Sequence, residues 1–150
     1  MFELRTETEI DGPVERVWQV LTDFKSFPDW NPFIRSVRGR AVEGSRLDVV
    51  IGASGTRPMR FRPKILKVLP NRELRWLGRL VLPRLFDGEH IFELEAEGPR
   101  RTKFVQSERF RGVFVPFLRR SLERDVRRGF EEMNQALRAR VSAGTATAKA

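Results

Sequence analysis

The apolar residues of this chain change their repeat once, at Gly112, and that change limits the folds open to it. Before it, from residue 33 onward, apolar side chains mostly alternate with polar ones at period two, in short runs divided by Gly, Pro and Asn. After it, the pair Phe117-Leu118 and then Leu122, Val126, Phe130, Met133 and Leu137 recur at steps of three or four. Six consecutive strands with short connections favour antiparallel hairpins. A sheet with one apolar face needs a cover, and the long C-terminal helix is the one large candidate. A strongly curved sheet around that helix would leave a cavity between them. The length of 150 residues suits one domain with a sizeable core.

The N-terminal third adds the remaining elements. Residues 2–10 alternate, with Phe2, Leu4 and Ile10 on one parity and Glu3, Arg5, Glu7 and Glu9 on the other, which predicts a strand with one wet face. Asp11 is expected to cap a helix that Pro13 opens and that Val14, Val17, Trp18 and Leu21 carry. Residues 24–32 form an aromatic segment bounded by prolines, read as a second short helix or turn that plugs an apolar opening. Strands are expected at 33–40, 45–52, 59–69, 73–82, 89–95 and 102–111. The 59–69 strand changes parity after Phe61, which predicts a bulge near Pro63. The final helix is expected to end near Val141. Residues 1–141 then form the domain, and 142–150, small and polar, a flexible tail.

Composition closes several routes. With no Cys and one His, disulfides, thiol chemistry and a multi-histidine metal site within one chain are excluded. No phosphate loop, dinucleotide fingerprint or nucleophile elbow is present, so neither a cofactor nor a metal is expected. No apolar run reaches the length of a membrane span, and the N-terminus lacks a signal-peptide pattern, so a cytoplasmic location is expected.

The net charge of +9 is uneven. Residues 1–99 hold 16 basic and 15 acidic side chains, whereas residues 100–150 hold 13 and five. Arg119, Arg120, Arg124, Arg127 and Arg128 lie around the outward faces of the last helix. They read first as its solvated coat, and second as a docking face for an anionic membrane or protein. The positive charge invites a nucleic-acid reading, but with no other nucleic-acid motif a nucleic-acid partner is not expected.

Strand parity turns several polar groups inward among aromatic ones. His90 shares a face with Phe92, and Gln106 and Glu108 share one with Phe104 and Phe110. Trp76 and Phe61 face inward on earlier strands. If the last two strands pair, His90 approaches Gln106 or Glu108. An aromatic cavity with a few polar anchors is the usual small-molecule site. His90 and Glu108 could act as an acid/base pair, or His90 could be satisfied within the sheet. Glu108 could instead pair with Arg109 or Arg111 if the strand bulges. Trp30 reads equally as part of a cavity lid or as packing.

The opening 9–18 (EIDGPVERVW), the Phe27-Pro28-Asp29-Trp30-Asn31-Pro32 plug and the closing amphipathic helix together resemble the START-like, Bet v 1-like helix-grip superfamily. Within it, the chain is similar to the polyketide cyclase/dehydrase and lipid-transport group, over about residues 1–141. The resemblance implies an α+β helix-grip fold. A curved antiparallel sheet of about seven strands, in the order β-α-α-β6-α, would wrap around the C-terminal helix and enclose a cavity. It also makes Val126, Phe130 and Met133 of that helix a cavity wall. The implied function is binding or transport of a lipid, quinone or polyketide-like molecule. A cyclase or dehydratase using His90 and Glu108 is the alternative.

Overall fold

The computed structural model describes residues 1–79 and 85–149. Strand β1 (Phe2–Asp11) pairs with β8 (Arg101–Arg111) in an unbroken antiparallel register from Phe2 opposite Phe110 to Asp11 opposite Arg101. β7 (Asp87–Ala96), β6 (Glu73–Arg79) and β5 (Lys64–Leu69) complete a five-stranded sheet in the order β1-β8-β7-β6-β5. β2 (Ile34–Arg38), β3 (Asp48–Ile51) and β4 (Met59–Phe61) form a second, three-stranded antiparallel sheet. The part of the expected 73–82 strand beyond Arg79 lies outside the described residues.

The sequence predicts one bulged strand at 59–69; the chain there makes two strands, one in each sheet. Pro63 stands between them, where a residue without an N–H can sit. Its carbonyl accepts from the Leu47 N–H at 2.9 Å, and Ile65 N–H donates to Ser45 O at 2.9 Å, so the two sheets stay stitched together at this corner. The register shift falls later, between Ile65 and Lys67. It lets Ile65 and Val68, three residues apart, both face the core, opposite Trp76 and Leu74.

Helix α1 (Val14–Thr22) is not capped by Asp11, which remains in β1. Pro13 instead holds an extended backbone whose carbonyl accepts the N–H groups of Arg16 and Val17 at 3.0 and 3.2 Å. A 3-10 turn (Phe24–Ser26) and the short α2 (Phe27–Trp30) follow, with Phe24 and Phe27 buried edge to face, their ring centres 5.6 Å apart. Asn31 Oδ1 then accepts from Phe33 N–H at 3.0 Å and Ile34 N–H at 2.9 Å, turning the chain into β2.

The C-terminal helix is continuous from α3 (Val115–Ser121) through one turn of π-helix (Leu122–Val126) into α4 (Arg127–Lys149). The π turn answers the apolar spacing. Leu118, Leu122, Val126 and Phe130 are separated by steps of four, and each such step drifts by about 40° on an ideal α-helix. A wider turn takes up that drift and keeps the stripe on one face. The helix does not stop at Val141: the Ala-rich segment beyond has no Pro to break it, and Gly144 lies against the Arg16 side chain of α1 with no room for a Cβ. No helix among the described residues is long and apolar enough to cross a membrane.

Phe130, Met133, Leu137 and Val141 are fully buried against the sheet. The helix can cross there because Gly129 carries no side chain: the Phe33 ring occupies the space a Cβ would need, and Phe33 packs edge to face on Phe130 with ring centres 5.6 Å apart. Gly129→Ala, a good helix former everywhere else, is therefore expected to lower stability by about 2 kcal/mol in urea unfolding, the scale of an overpacked core. A neutral or stabilising result would show that Phe33 can move aside.

Candidate functional site

A cavity of about 380 Å³ opens between the two sheets and the start of the C-terminal helix. Glycine creates its floor. Gly78 of β6 lies opposite Gly88 of β7, so two neighbouring inward positions carry no side chain. The Phe61 ring fills the space over Gly78, 2.8 Å from where a Cβ would stand, and the Glu108 carboxylate covers Gly88 at 2.7 Å. Phe33, Ile51, Met59, Phe86 and Phe110 supply apolar walls, and Leu118, Leu122 and Val126 come from the helix. Arg57, Ser121 and Asp125 add polar groups to the lining.

Glu108 has no hydrogen-bond or ion-pair partner among the described residues. Burial pushes its carboxyl up from the ordinary 4.5 to about 8, because the charged form is poorly solvated between apolar walls. The group is mostly protonated at neutral pH and presents an O–H donor to the cavity. β8 keeps its register with both neighbours through this position, so Glu108 is not turned toward Arg109 or Arg111. Arg109 pairs with Glu3 instead.

His90 sits opposite Glu108 in the β7–β8 register but makes its bond elsewhere. Its Nε2 lies 2.8 Å from Gln106 Oε1. Gln106 Nε2 donates to Asn134 Oδ1 at 3.0 Å, and Asn134 Nδ2 donates to Thr6 Oγ1 at 3.0 Å. The Thr6 hydroxyl donates to the Gln106 carbonyl at 3.3 Å. An acceptor on Gln106 requires the proton on Nε2, which leaves Nδ1 as an unpaired acceptor. The ring stacks on Phe92 at 4.2 Å and touches Phe130 and Trp76 at 5.1 and 5.5 Å between ring centres. Burial lowers its pKa to about 3, the Gln106 bond only partly opposing, so His90 is neutral at physiological pH.

The residues singled out from sequence thus divide between two places. Phe61, Glu108, Phe110 and Val126 line the cavity. Trp76, His90, Phe92, Phe104 and Gln106 form a close-packed aromatic and polar core beside it, and Phe130 and Met133 close that core from the helix side. Trp30 does not line the cavity and reaches that core only from its edge, through Phe27 and Phe24. It packs on Phe27 at 5.2 Å and lines a small polar cleft with Arg16 and Arg140. Gly78 and Gly88 were absent from the sequence candidates although glycine inside a strand marks a close approach. Asn134 was also absent, and its signal was its place on the buried stripe, one turn after Phe130.

Residues 1–142 match the family described as polyketide cyclase / dehydrase and lipid transport. No curated protein matches the chain. Solved structures with the same fold include a START superfamily protein from Mycobacterium smegmatis, at 19% identity, covering 94% of this chain and 97% of that one with a TM-score of 0.70. The Zhui aromatase/cyclase from Streptomyces sp. R1128 superposes with a TM-score of 0.75 at 15% identity, over 94% of this chain and 93% of its own. Norcoclaurine synthase from Thalictrum flavum, in complex with dopamine and hydroxybenzaldehyde, does so with a TM-score of 0.70 at 15% identity, over 95% and 87%. These place the architecture among helix-grip folds, with the long helix packed against an antiparallel sheet.

Proposed function

The chain belongs to the polyketide cyclase / dehydrase and lipid-transport family, and we propose that it binds an apolar or aromatic small molecule in the cavity between the two sheets and the C-terminal helix. The observation that carries this reading is a cavity of about 380 Å³, walled largely by aliphatic and aromatic side chains, into which one unpaired carboxyl projects. That volume falls within the range of small-molecule sites. Burial of apolar ligand surface, at roughly 25 cal/mol per Å², supplies the drive. Glu108 supplies orientation: as a protonated acid it donates to a carbonyl, hydroxyl or carboxylate oxygen.

N-phenyl-1-naphthylamine, a neutral apolar fluorophore, tests the cavity directly. Saturable fluorescence enhancement is expected, weakened at least tenfold by Gly88→Leu, which fills the floor, and by Val126→Trp, which fills the opposite wall. Unchanged affinity in both folded variants would remove the cavity from consideration.

The enzyme reading has one specific support: a carboxyl held protonated at neutral pH is the form a general acid needs. It would act without His90, whose ring is committed to Gln106. Turnover of a bound poly-β-ketone, lost in Glu108→Gln while binding persists, would mark an enzyme. Binding with no turnover would mark a carrier.

A further inference from the structure

We propose that the turn into α3 is a docking surface for a bilayer with anionic headgroups. Four large apolar side chains stand in solvent there: Val113 is 61% exposed, Phe114 50%, Phe117 85% and Leu118 42%. Phe114, Phe117 and Leu118 follow one another at helical spacing, with Phe117 and Leu118 N–H both bonded to Phe114 O, so their side chains share a face. Scattered exposed apolar residues need no explanation, but a contiguous group of this kind marks an interaction surface.

The charge around this group identifies the occupant. Of the five arginines that the sequence places on the outer faces of the helix, Arg124, Arg127 and Arg128 are each paired with a carboxylate, on Asp125, Glu123 and Glu132. Arg119 and Arg120 have no carboxylate partner among the described residues; Arg119 lies over the Phe2 ring at 4.8 Å. Unneutralised positive charge therefore sits directly beside the exposed Phe117. Aromatic and aliphatic side chains flanked by arginine suit a membrane interface, where the rings enter the acyl boundary and guanidinium groups meet lipid phosphates. A nucleic-acid strand would call for a longer row of unpaired cations than two. Leu118 also belongs to the cavity wall, so a docked bilayer would lie against the cavity's edge. The docking surface stands on its own exposed residues and does not depend on the cavity holding a ligand.

Flotation of the full chain with phosphatidylcholine vesicles, with and without phosphatidylglycerol, tests this. Binding is expected to the anionic vesicles and to weaken with added salt. Phe117→Ser should reduce it about tenfold. The double variant Arg119→Glu, Arg120→Glu should reduce it by more than that, since each arginine near an anionic surface contributes about fivefold and reversal removes attraction and adds repulsion. Both variants should stay folded and keep the wild-type fluorophore affinity, because the altered side chains lie outside the cavity; the double variant should melt slightly lower, since it loses the Arg119 contact with the Phe2 ring. The proposal is overturned by equal flotation of wild type and variants, by equal binding to neutral vesicles, or by no flotation at all. Dimerisation in ultracentrifugation that Phe117→Ser abolishes would assign the surface to a second copy of the chain and overturn it too. Salt-sensitive binding to single-stranded DNA in place of vesicles would do the same.

Discussion

Between pH 6.5 and pH 8 the folded protein should lose up to about 2 kcal/mol of stability, and Glu108→Gln should abolish that loss. The sign follows from which state holds the proton. Glu108 has its pKa raised to about 8 from an ordinary 4.5, so between those values the folded state keeps a proton that the unfolded state has released. Stability from this group is complete below pH 4.5 and is lost as pH rises toward 8. His90 works in the opposite direction. Its folded pKa is about 3 against an ordinary 6.5, so the unfolded state takes up a proton first and stability is lost as pH falls from 6.5 toward 3. The two slopes cancel between pH 4.5 and 6.5, leaving a plateau with a decline on each side. At about 1.4 kcal/mol per pH unit, the alkaline decline amounts to about 2 kcal/mol by pH 8. Water entering the cavity would solvate the carboxylate and reduce this, so the figure is an upper bound. Urea unfolding across this pH range measures both limbs. In Glu108→Gln the alkaline limb disappears and stability climbs up to pH 6.5, then stays level. Parallel profiles for the two proteins would show that Glu108 ionises normally. A neutral carbonyl ligand that accepts from Glu108 should push the wild-type decline to higher pH.

Strand parity was readable because it follows from a period-two backbone facing a wet and a dry side. The inward set Phe92, Phe104, Gln106 and Phe110 rests on unbroken registers. The long helix was readable from its stripe. What parity cannot reveal is where along the sheet the interior is filled and where it is empty. Inward residues at Trp76, His90, Phe92 and Phe104 fill the space completely, and the same face one step toward Gly78 and Gly88 stays open because two strands place glycine side by side. That coincidence depends on register between strands, which single-strand patterns do not encode. Pro63 misled for a related reason: a parity change reads as a bulge, and a strand leaving one sheet for the other has the same local pattern. Asp11 failed as a cap because its pairing with Arg101 extends β1 through it, a long-range contact that overrides a local preference.

Gln106→Leu should cost about 4 kcal/mol and leave fluorophore affinity unchanged. The substitution is close in volume, so the penalty comes from polar groups left behind. His90 Nε2–H loses its acceptor and Asn134 Oδ1 loses its donor, both deep in the core. Each unpaired buried group costs roughly 1–3 kcal/mol. His90→Phe alone should cost less, since it strands only Gln106 Oε1 and adds a ring to an aromatic cluster. Combining the two removes both sides of the His90–Gln106 bond. The double variant should therefore be more stable than the sum of the single effects predicts, by about 1–3 kcal/mol. The same cycle decides what the inward polar residues are for. A binding role for His90 and Gln106 requires that ligand affinity follow these substitutions while the protein remains folded. A role in holding β7, β8, β1 and α4 together requires that stability follow them instead, because Gln106 and Asn134 link the sheet to the helix and Thr6 extends the link to β1. The bond pattern predicts the second outcome. It leaves Glu108 as the polar group of that sheet face that is open to the cavity.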